Sequence, residues 1–297
     1  MAATLSISEL RALCAELGAL VKERRLAFLS VPSSTSLHEL RVAVRSARSL
    51  IVLTKASFES TELNAVRHAG ARVSYLTGRA RNLDVFIEHW RDLTLELPPD
   101  VVVNLGSVIA HINSVRESEY RNVYESMRLA ECIEFEDELL RLAEIPPCDD
   151  PADVVVRKAI KRINKRVVNV ANSLSDLAPD EVLHQARKDL KKLRYSLEMT
   201  RSHFPTRSLE KFIETVTELQ VTIGRHQDAV MFSNELWSTA RRLGPSTSAD
   251  VIVSVGMLLN PIEEVRRQAR RKSLTKLRTY SDDDVQQQLK KLVGNID

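Results

Sequence analysis

The feature that most constrains the fold of this chain is a helical spacing of apolar residues that continues almost from end to end. Apolar positions recur every three or four residues through most of its 297 residues, which is the periodicity of an amphipathic α-helix. The sequence holds only eight Gly and ten Pro, the residues that most often interrupt helices. We therefore predict an all-α protein with helices at 6–29, 36–58, 62–96, 104–144, 152–176, 180–203, 208–243, 248–279 and 282–293.

Proline-containing segments separate many of the predicted helices, because proline removes a helical hydrogen-bond donor. Two of them, VPSSTS (31–36) and APDE (178–181), also offer residues suited to cap the next helix. The strongest interruption is IPPCDDP at 145–151, near the middle of the chain. It predicts two units, an N-terminal helical bundle at 1–146 and a C-terminal helical bundle at 147–297.

Two basic stretches share one spacing. LHELRVAVRSARSL (37–50) and LHQARKDLKKLRYSL (183–197) both place His, then Arg three residues on, then basic residues at seven and ten. We call His38, Arg41, Arg45 and Arg48 the first stripe, and His184, Arg187, Lys188, Lys191 and Arg194 the second stripe. Each is followed by a segment with Gly, Arg and Asp in the same order, GRARNLDV (78–85) and GRHQDAV (224–230). The repeat predicts an internal duplication, with two bundles related by a pseudo-twofold axis.

The chemistry of the stripes favours an anionic ligand. At 100° per residue, the first stripe occupies a sector about 80° wide, beside the apolar face of its helix. Such like charges repel one another, and Glu198 is the one acidic residue well placed to pair with the second stripe. A stripe covers about 15 Å of helix, which suits a row of phosphates, and Arg binds two phosphate oxygens at once. Tyr195 widens the second stripe.

A solvated helix face is the ordinary explanation of a single basic stripe, but it does not explain why the spacing is repeated. The histidines, when protonated, are expected to donate to the anion, which would raise their pKa.

Asp84 and Asp228 are candidate metal ligands, bases or ion-pair partners. No second carboxylate repeats with them, so we predict that they orient stripe arginines, with no metal, cofactor or catalytic residue. Further predicted anion contacts are Arg79, Arg81 and Arg225, with a second tier of Arg162, Lys165 and Lys192.

Charge and cysteine content narrow the class of protein. The formal net charge is only +3, yet positions 157–194 hold eleven Lys and Arg against four Asp and Glu, a local field that attracts anions. Cys14, Cys132 and Cys148 lie outside any CxxC context, so neither a disulfide framework nor a zinc site is predicted. No apolar run is long enough to cross a membrane, and the N-terminus does not read as a signal peptide. We therefore expect a soluble protein of a reducing cytoplasm.

The pair of LHxxR helices, each followed by a Gly-Arg-Asp segment, resembles the conserved histidine α-helical domain, or CHAD, family. The resemblance extends from about Ser6 to Tyr280, and the second copy is the closer one. It implies two four-helix bundles with twofold symmetry around a basic central groove or pore that binds inorganic polyphosphate, which phosphate or sulfate can mimic. The family's basic helix residues correspond to the two stripes. Some members carry a fused triphosphate tunnel enzyme, but this chain has no ExExK motif, so a polyphosphate-metabolising enzyme would be a separate partner.

Three functions follow in order of preference. The first is non-catalytic polyphosphate binding, with association with polyphosphate granules as a further expectation. The second is binding of RNA or DNA, which the lack of interleaved aromatic residues and of known nucleic-acid motifs makes less favoured. The third is a phosphatase accessory protein or phosphohydrolase, for which the sequence shows no phosphate-cradling Gly-rich loop or activated nucleophile.

Overall fold

The structure is a computed structural model that describes residues 6–55, 58, 60–144, 152–175, 178–244 and 247–294. Within these ranges every regular element is helical and there is no strand, so the all-α prediction is confirmed. The predicted boundary segment 145–151, with Cys148, lies outside the described residues. The α-helices are α1 (Ile7–Ser30), α2 (Ser34–Leu53), α3 (Ser60–Leu76), α4 (Gly78–Thr94), α5 (Pro99–Asn104), α6 (Gly106–Arg128), α7 (Ala130–Glu144), α8 (Ala152–Ser173), α9 (Asp180–Met199), α10 (Thr206–Leu243), α11 (Ala249–Ser281) and α12 (Asp283–Val293).

Helix starts follow local capping chemistry. Ser33 accepts a hydrogen bond from the Ser36 backbone, and the Ser36 side chain accepts one from the Ser33 backbone, which closes a capping box before α2. Pro179 and Pro205 stand immediately before α9 and α10. These features place the start of α2 and α9, the two stripe helices, where the sequence predicts a break.

Several helix boundaries differ from the prediction. The helix predicted at 36–58 ends at Leu53, and the helix predicted at 180–203 ends at Met199. The expected helix at 62–96 is divided at Thr77 into α3 and α4, and the expected helix at 104–144 is divided at Leu129 into α6 and α7. The predicted break around Pro99 instead begins the short helix α5. Proline is tolerated there because the first helical residue needs no backbone donor.

The larger hydrophobic core places the two stripe helices against each other. It gathers buried side chains from α1, α2, α3 and α7 together with α8, α9, the first half of α10, the end of α11 and α12. Within it, Leu37 and Leu40 of α2 and Leu183 and Leu190 of α9 are fully buried. Burying each such side chain contributes about 1.5–3 kcal/mol, which fixes the rotation of both helices. Since α2 also packs on α9, the stripes beside these leucines lie in one region.

A second, smaller core contains no side chain of either stripe. Leu83 and Phe86 of α4 and Ile112 of α6 pack there with Phe232 of α10 and Leu258 of α11. Val101 of α5 and Leu105, which follows α5, complete this group. Both cores therefore contain residues from before and after the predicted boundary. The division into 1–146 and 147–297 stays a prediction.

Candidate anion-binding site

The two stripes meet at Tyr195. The Nη1 of Arg45 on α2 donates to the hydroxyl of Tyr195 on α9 over 3.3 Å. The same ring lies 5.1 Å from the guanidinium carbon of Arg194, close enough for a cation–π contact. Tyr195 is only 8 % exposed. It therefore holds two stripe arginines from different helices with its hydroxyl and its ring face, and its burial leaves little surface for a ligand.

Lys191 lies among cations that come from both stripes. Burial, and then the nearby charges of Arg45 and Arg187, lower the pKa of Lys191 to about 7, while Asp228 acts in the opposite direction. Arg45 comes from the first stripe and Arg187 from the second, so cations of both stripes act on one ammonium group. A buried cation surrounded by other cations is unfavourable without an anion. The arrangement is suited to receive one.

Arg187 approaches α10 closely at Gly224. A β-carbon at Gly224 would lie 3.4 Å from Nη2 of Arg187, in van der Waals contact with the guanidinium. Within the described residues, the buried Nε of Arg187 has no hydrogen-bond partner. Burial raises the pKa of Asp228, and the charges of Arg187 and Lys191 lower it. Asp228 thus faces the second stripe and offsets part of its charge, while a donor of Arg187 is left for a ligand.

Arg41 and Arg48 are bound to helix α3. Nη1 of Arg41 donates to the carbonyl of Ser74 over 3.0 Å and to the hydroxyl of Thr77 over 2.6 Å, and Nη1 of Arg48 donates to the hydroxyl of Ser74 over 2.7 Å. Both arginines lie at the C-terminal turn of α3, where carbonyls lack helical partners and cations are favoured. These two residues therefore hold α3 against α2, in addition to any contact with an anion.

The stripe histidines have different neighbours. Nδ1 of His184 lies 2.6 Å from Oε1 of Gln227 on α10. Burial lowers the pKa of His184, the bond to Gln227 raises it, and Lys188 lowers it. The pKa of His38 is lowered by burial, then by Arg81 and Arg45. Both imidazoles thus favour the neutral form at neutral pH when no anion is bound.

The first Gly-Arg-Asp segment is occupied by ion pairs. Arg79 binds both carboxylate oxygens of Glu235 on α10, the longer bond being 2.8 Å, and Arg81 donates to Glu88 over 2.9 Å.

Among the described residues, Asp84 forms no hydrogen bond with an arginine of the first stripe. Asp84 accepts from Nε of Arg116 over 2.6 Å and from the hydroxyl of Tyr120 over 2.8 Å, which ties α4 to α6. Asp84 therefore orients Arg116, and also lies 3.9 Å from Arg81.

The remaining predicted contacts extend outward from the second stripe. Lys192 and Arg166 both lie at the carboxylate of the buried Asp189, at 2.9 and 3.4 Å. Arg162 and Lys165 are exposed on α8. Arg194 reaches Glu198 at 3.4 Å, the pairing that the sequence predicts.

Arg225 lies elsewhere. It is exposed on α10, in a groove of about 620 Å³ whose lining includes Glu198, Glu218 and Lys276. No residue of either stripe lines that groove.

The sequence did not single out several charged and polar residues behind the second stripe. Asp180 accepts from Arg266 over 2.7 Å and from Arg270 over 2.9 Å, and its Oδ1 lies 3.1 Å from Nε2 of the fully buried His226. Gln227 follows His226 directly. The sequence signal for Gln227 is its place in the GRHQDAV segment, 43 residues after His184.

The described part of the chain also bears on the predictions for metal-binding groups, membrane-spanning helices and cysteines. Among the described side chains, no group of three His, Cys, Asp or Glu residues is arranged to hold a metal ion. No helix in the described part of the chain is long and apolar enough to span a membrane. Cys14 and Cys132 are buried free thiols, and burial raises the pKa of Cys14 to about 12.

Known proteins share this fold. The crystal structure of the CHAD domain from the plant Ricinus communis superposes with a TM-score of 0.73 at 19% identity, covering 93% of both chains. PptA from Streptomyces chartreusis superposes with a TM-score of 0.74 at 15% identity, covering 90% of this chain and 97% of that one. At these identities the likeness concerns the fold alone.

Sequence comparison assigns the family. The uncharacterized proteins MT2285 and Rv2226 from two strains of Mycobacterium tuberculosis are 24% identical over 235 residues, 75% of this chain. The chain spans 44% of the length of these relatives. The family model described as CHAD domain matches residues 11–237, which include both stripes. The chain therefore belongs to the CHAD domain family, as the paired stripes predict.

Proposed function

We propose that this protein binds inorganic polyphosphate without catalysis, at the place where the two stripes meet. The observation that carries the proposal is the convergence of Arg45 from α2 with Arg187 and Lys191 from α9, where the pKa of Lys191 falls to about 7. Polyphosphate binding is known for the CHAD family. A chain of linked phosphates would neutralise these cations together, which a single carboxylate cannot do.

The contacts available favour phosphate oxygens. Nε of Arg187 and Nε of Arg41 are buried donors without hydrogen-bond partners among the described residues. Arginine donors bind phosphate oxygens through strong charge-assisted hydrogen bonds. An anion would also stabilise the protonated form of Lys191, so binding should take up protons near neutral pH. Each neutralised phosphate releases condensed counterions, so affinity should fall steeply as salt rises.

The proposal extends to the architecture around the site. Two duplicated bundles, 1–146 and 147–297, would each present one stripe toward a shared basic groove or pore. The contact of α2 with α9 supports this, because these helices carry the repeated motif. The further predicted contacts Lys188, Lys192, Arg162 and Lys165 would extend the same basic surface. A cytoplasmic protein that associates with polyphosphate granules, or with a separate polyphosphate-metabolising enzyme, fits this role.

Nucleic acid is a less suitable ligand for the site. Sequence-tolerant binding of single strands uses exposed aromatic rings on which bases stack. Tyr195, the aromatic residue of the stripes, is 8 % exposed and already contacts Arg45 and Arg194. Competition between polyphosphate and RNA would separate the two ligands. Release of orthophosphate from polyphosphate by the pure protein would instead indicate a phosphohydrolase.

Isothermal titration with long-chain polyphosphate at two salt concentrations tests the proposal. The variant Arg45→Glu/Arg187→Glu/Lys191→Glu should lose about tenfold or more in affinity and show a smaller salt dependence. The matched control Arg128→Glu/Lys211→Glu/Lys290→Glu makes the same change of charge at exposed positions on α6, α10 and α12, which carry no stripe residue. Equal losses in both variants, with both folded by circular dichroism, would show that binding follows net charge and not this site.

A further inference from the structure

Each stripe histidine has a polar residue on a later helix at the same separation along the chain, 43 residues after the histidine. Gln227 follows His184 by 43 residues and lies 2.6 Å from its Nδ1. Arg81 follows His38 by the same interval, and its charge acts on the pKa of His38. A glutamine amide can accept a hydrogen bond, whereas a guanidinium can only donate. The two halves of the site therefore differ in chemistry at one matched position.

The orientation of the Gln227 amide follows from the residues behind it. Asp180 is held by Arg266 at 2.7 Å, and its carboxylate can only accept hydrogen bonds. Nε2 of His226 lies 3.1 Å from a carboxylate oxygen of Asp180 without forming a hydrogen bond to it. A proton on Nε2 faces this carboxylate more favourably than a lone pair does, and burial lowers the pKa of His226, which keeps the ring neutral. Nδ1 of His226 is then an acceptor, 3.5 Å from Nε2 of Gln227. Oε1 of Gln227 consequently faces His184 and accepts from its Nδ1–H.

This hydrogen bond fixes how His184 can meet an anion. With Nδ1–H donated to Gln227, Nε2 of the neutral ring has a lone pair that repels a phosphate oxygen. To donate to phosphate, His184 must take a proton on Nε2. The charges of Lys188, Arg187 and Lys191 on the same helix oppose that protonation. A bound anion would counter them, while the bond to Gln227 favours the protonated ring.

His38 has a different environment. Burial and Arg81 lower its pKa, Arg45 and Arg41 of its own helix add to that effect, and Glu88 of α4 opposes it. Arg81 donates to Glu88 over 2.9 Å and offers no acceptor to the imidazole. The first stripe therefore has a permanent guanidinium where the second has an amide.

We propose that Gln227 is the positioning residue of His184, holding Nδ1–H so that Nε2 takes up a proton and binds a phosphate oxygen, whereas Arg81 supplies a permanent cation beside His38. The second stripe would then bind the anion with proton uptake at its histidine, and the first without it. This inference rests on the proposed polyphosphate function for its ligand. The state of the His184 ring, however, can be measured without any ligand.

Long-range proton–nitrogen NMR of the anion-free, ¹⁵N-labelled protein tests the positioning role. Wild-type His184 should carry its proton on Nδ1 at pH 8. Gln227→Leu should shift that proton toward Nε2 and lower the pKa of His184, and Gln227→Glu should raise this pKa by about one unit or more. Arg81→Gln should raise the pKa of His38. The control Asn234→Leu changes an exposed residue of the same helix and should leave both rings unchanged.

Titration with sodium polyphosphate in buffers of different ionisation enthalpy tests the proton uptake. Wild-type protein should take up more protons on binding than Gln227→Leu does, by up to about one per molecule. An unchanged tautomer and pKa of His184 in Gln227→Leu would overturn the inference. If the wild-type protein failed to bind polyphosphate, the proposed function and the proton-coupled contact would both fail, while the tautomer measurement would still decide whether Gln227 positions His184.

Discussion

Arg41 and Arg45 lie one helical turn apart on the first stripe, yet their surroundings differ. Arg41 donates to Ser74 and Thr77 at the end of α3, whereas Arg45 reaches across to Tyr195 of α9. Burial, and then the charge of Arg45, lower the pKa of Arg41 to about 10. Arg41 therefore holds α3 against α2, whereas Arg45 faces the second stripe.

The protonation of Lys191 is expected to make the stability of the protein depend on pH. The pKa of Lys191 in the folded protein is about 7, below the ordinary lysine value of 10.5. Between these pH values the unfolded chain binds a proton that the folded protein does not. The charged lysine therefore destabilises the anion-free fold fully below pH 7, and stability recovers as the pH rises toward 10.5. Lys191→Met should raise the melting temperature at pH 6 by roughly 2 °C or more, with a difference that narrows by pH 9.5.

Thermal unfolding at pH 6, 8 and 9.5, with and without polyphosphate, checks this expectation. Polyphosphate should stabilise wild-type protein more at pH 6 than at pH 9.5, and this difference should be smaller in Lys191→Met. Lys211→Met, at an exposed lysine, should match wild type throughout. A gap between wild type and Lys191→Met that stays constant with pH would refute the assigned protonation.

The helices illustrate which boundaries depend on tertiary contacts. The apolar periodicity runs through Thr77 and Leu129, and only the first is followed directly by a glycine, Gly78, so a continuous helix is expected across each. At the first break, Thr77 donates to Val73 and accepts from Arg41, a residue of another helix. A sequence window around Thr77 contains Gly78 but not Arg41, so the long-range part of this break is not visible in the local sequence.

A buried ion pair adds to the apolar packing of α1 against α7. Arg25 donates through Nε and Nη2 to Glu136, and through Nη1 to the carbonyl of Met127 at the end of α6. Arg25 is 7% exposed and Glu136 is 1% exposed. Glu136→Ala would leave the buried guanidinium without its anion, so we expect a loss of about 3–5 kcal/mol in the free energy of unfolding.

Urea denaturation measures this loss against two comparisons. The double variant Arg25→Met/Glu136→Leu should recover most of it, because no unpaired charge is then buried. Glu138→Ala removes the partner of Arg141 on the same helix, in an exposed pair, and should cost about 1 kcal/mol or less. A similar loss at Glu136 and Glu138 would show that the burial of the first pair has no special consequence.

Across the whole molecule, the second core links the two predicted halves. Phe86 of α4 and Phe232 of α10 make an edge-on ring contact at 5.2 Å, and Leu258 of α11 is fully buried among residues of both halves. The two tryptophans, Trp90 and Trp237, lie on α4 and α10, one from each half. Shared cores of this kind favour unfolding as one unit.

We predict that tryptophan fluorescence and far-ultraviolet circular dichroism give the same urea midpoint. Leu258→Ala should lower both midpoints together, at a cost of about 2–5 kcal/mol for the cavity created. The control Leu95→Ala, at a residue that is 71% exposed, should change neither. Two separate transitions, with Leu258→Ala affecting fluorescence alone, would instead support independently folding halves.

The sequence alone determined the helical class, most helix positions, the paired basic stripes and the family, because these depend on periodicity, capping residues and repeated spacing within single segments. Only the tertiary structure decided which partners these segments bind. Arg79 pairs with Glu235, Asp84 pairs with Arg116, and Gln227 forms a hydrogen bond with His184. The stripe residues are prominent in sequence because like charges recur on one helix face. The partners of Arg79, Asp84 and His184 lie on other helices, 32 to 156 residues away, and only packing of the two cores brings them together.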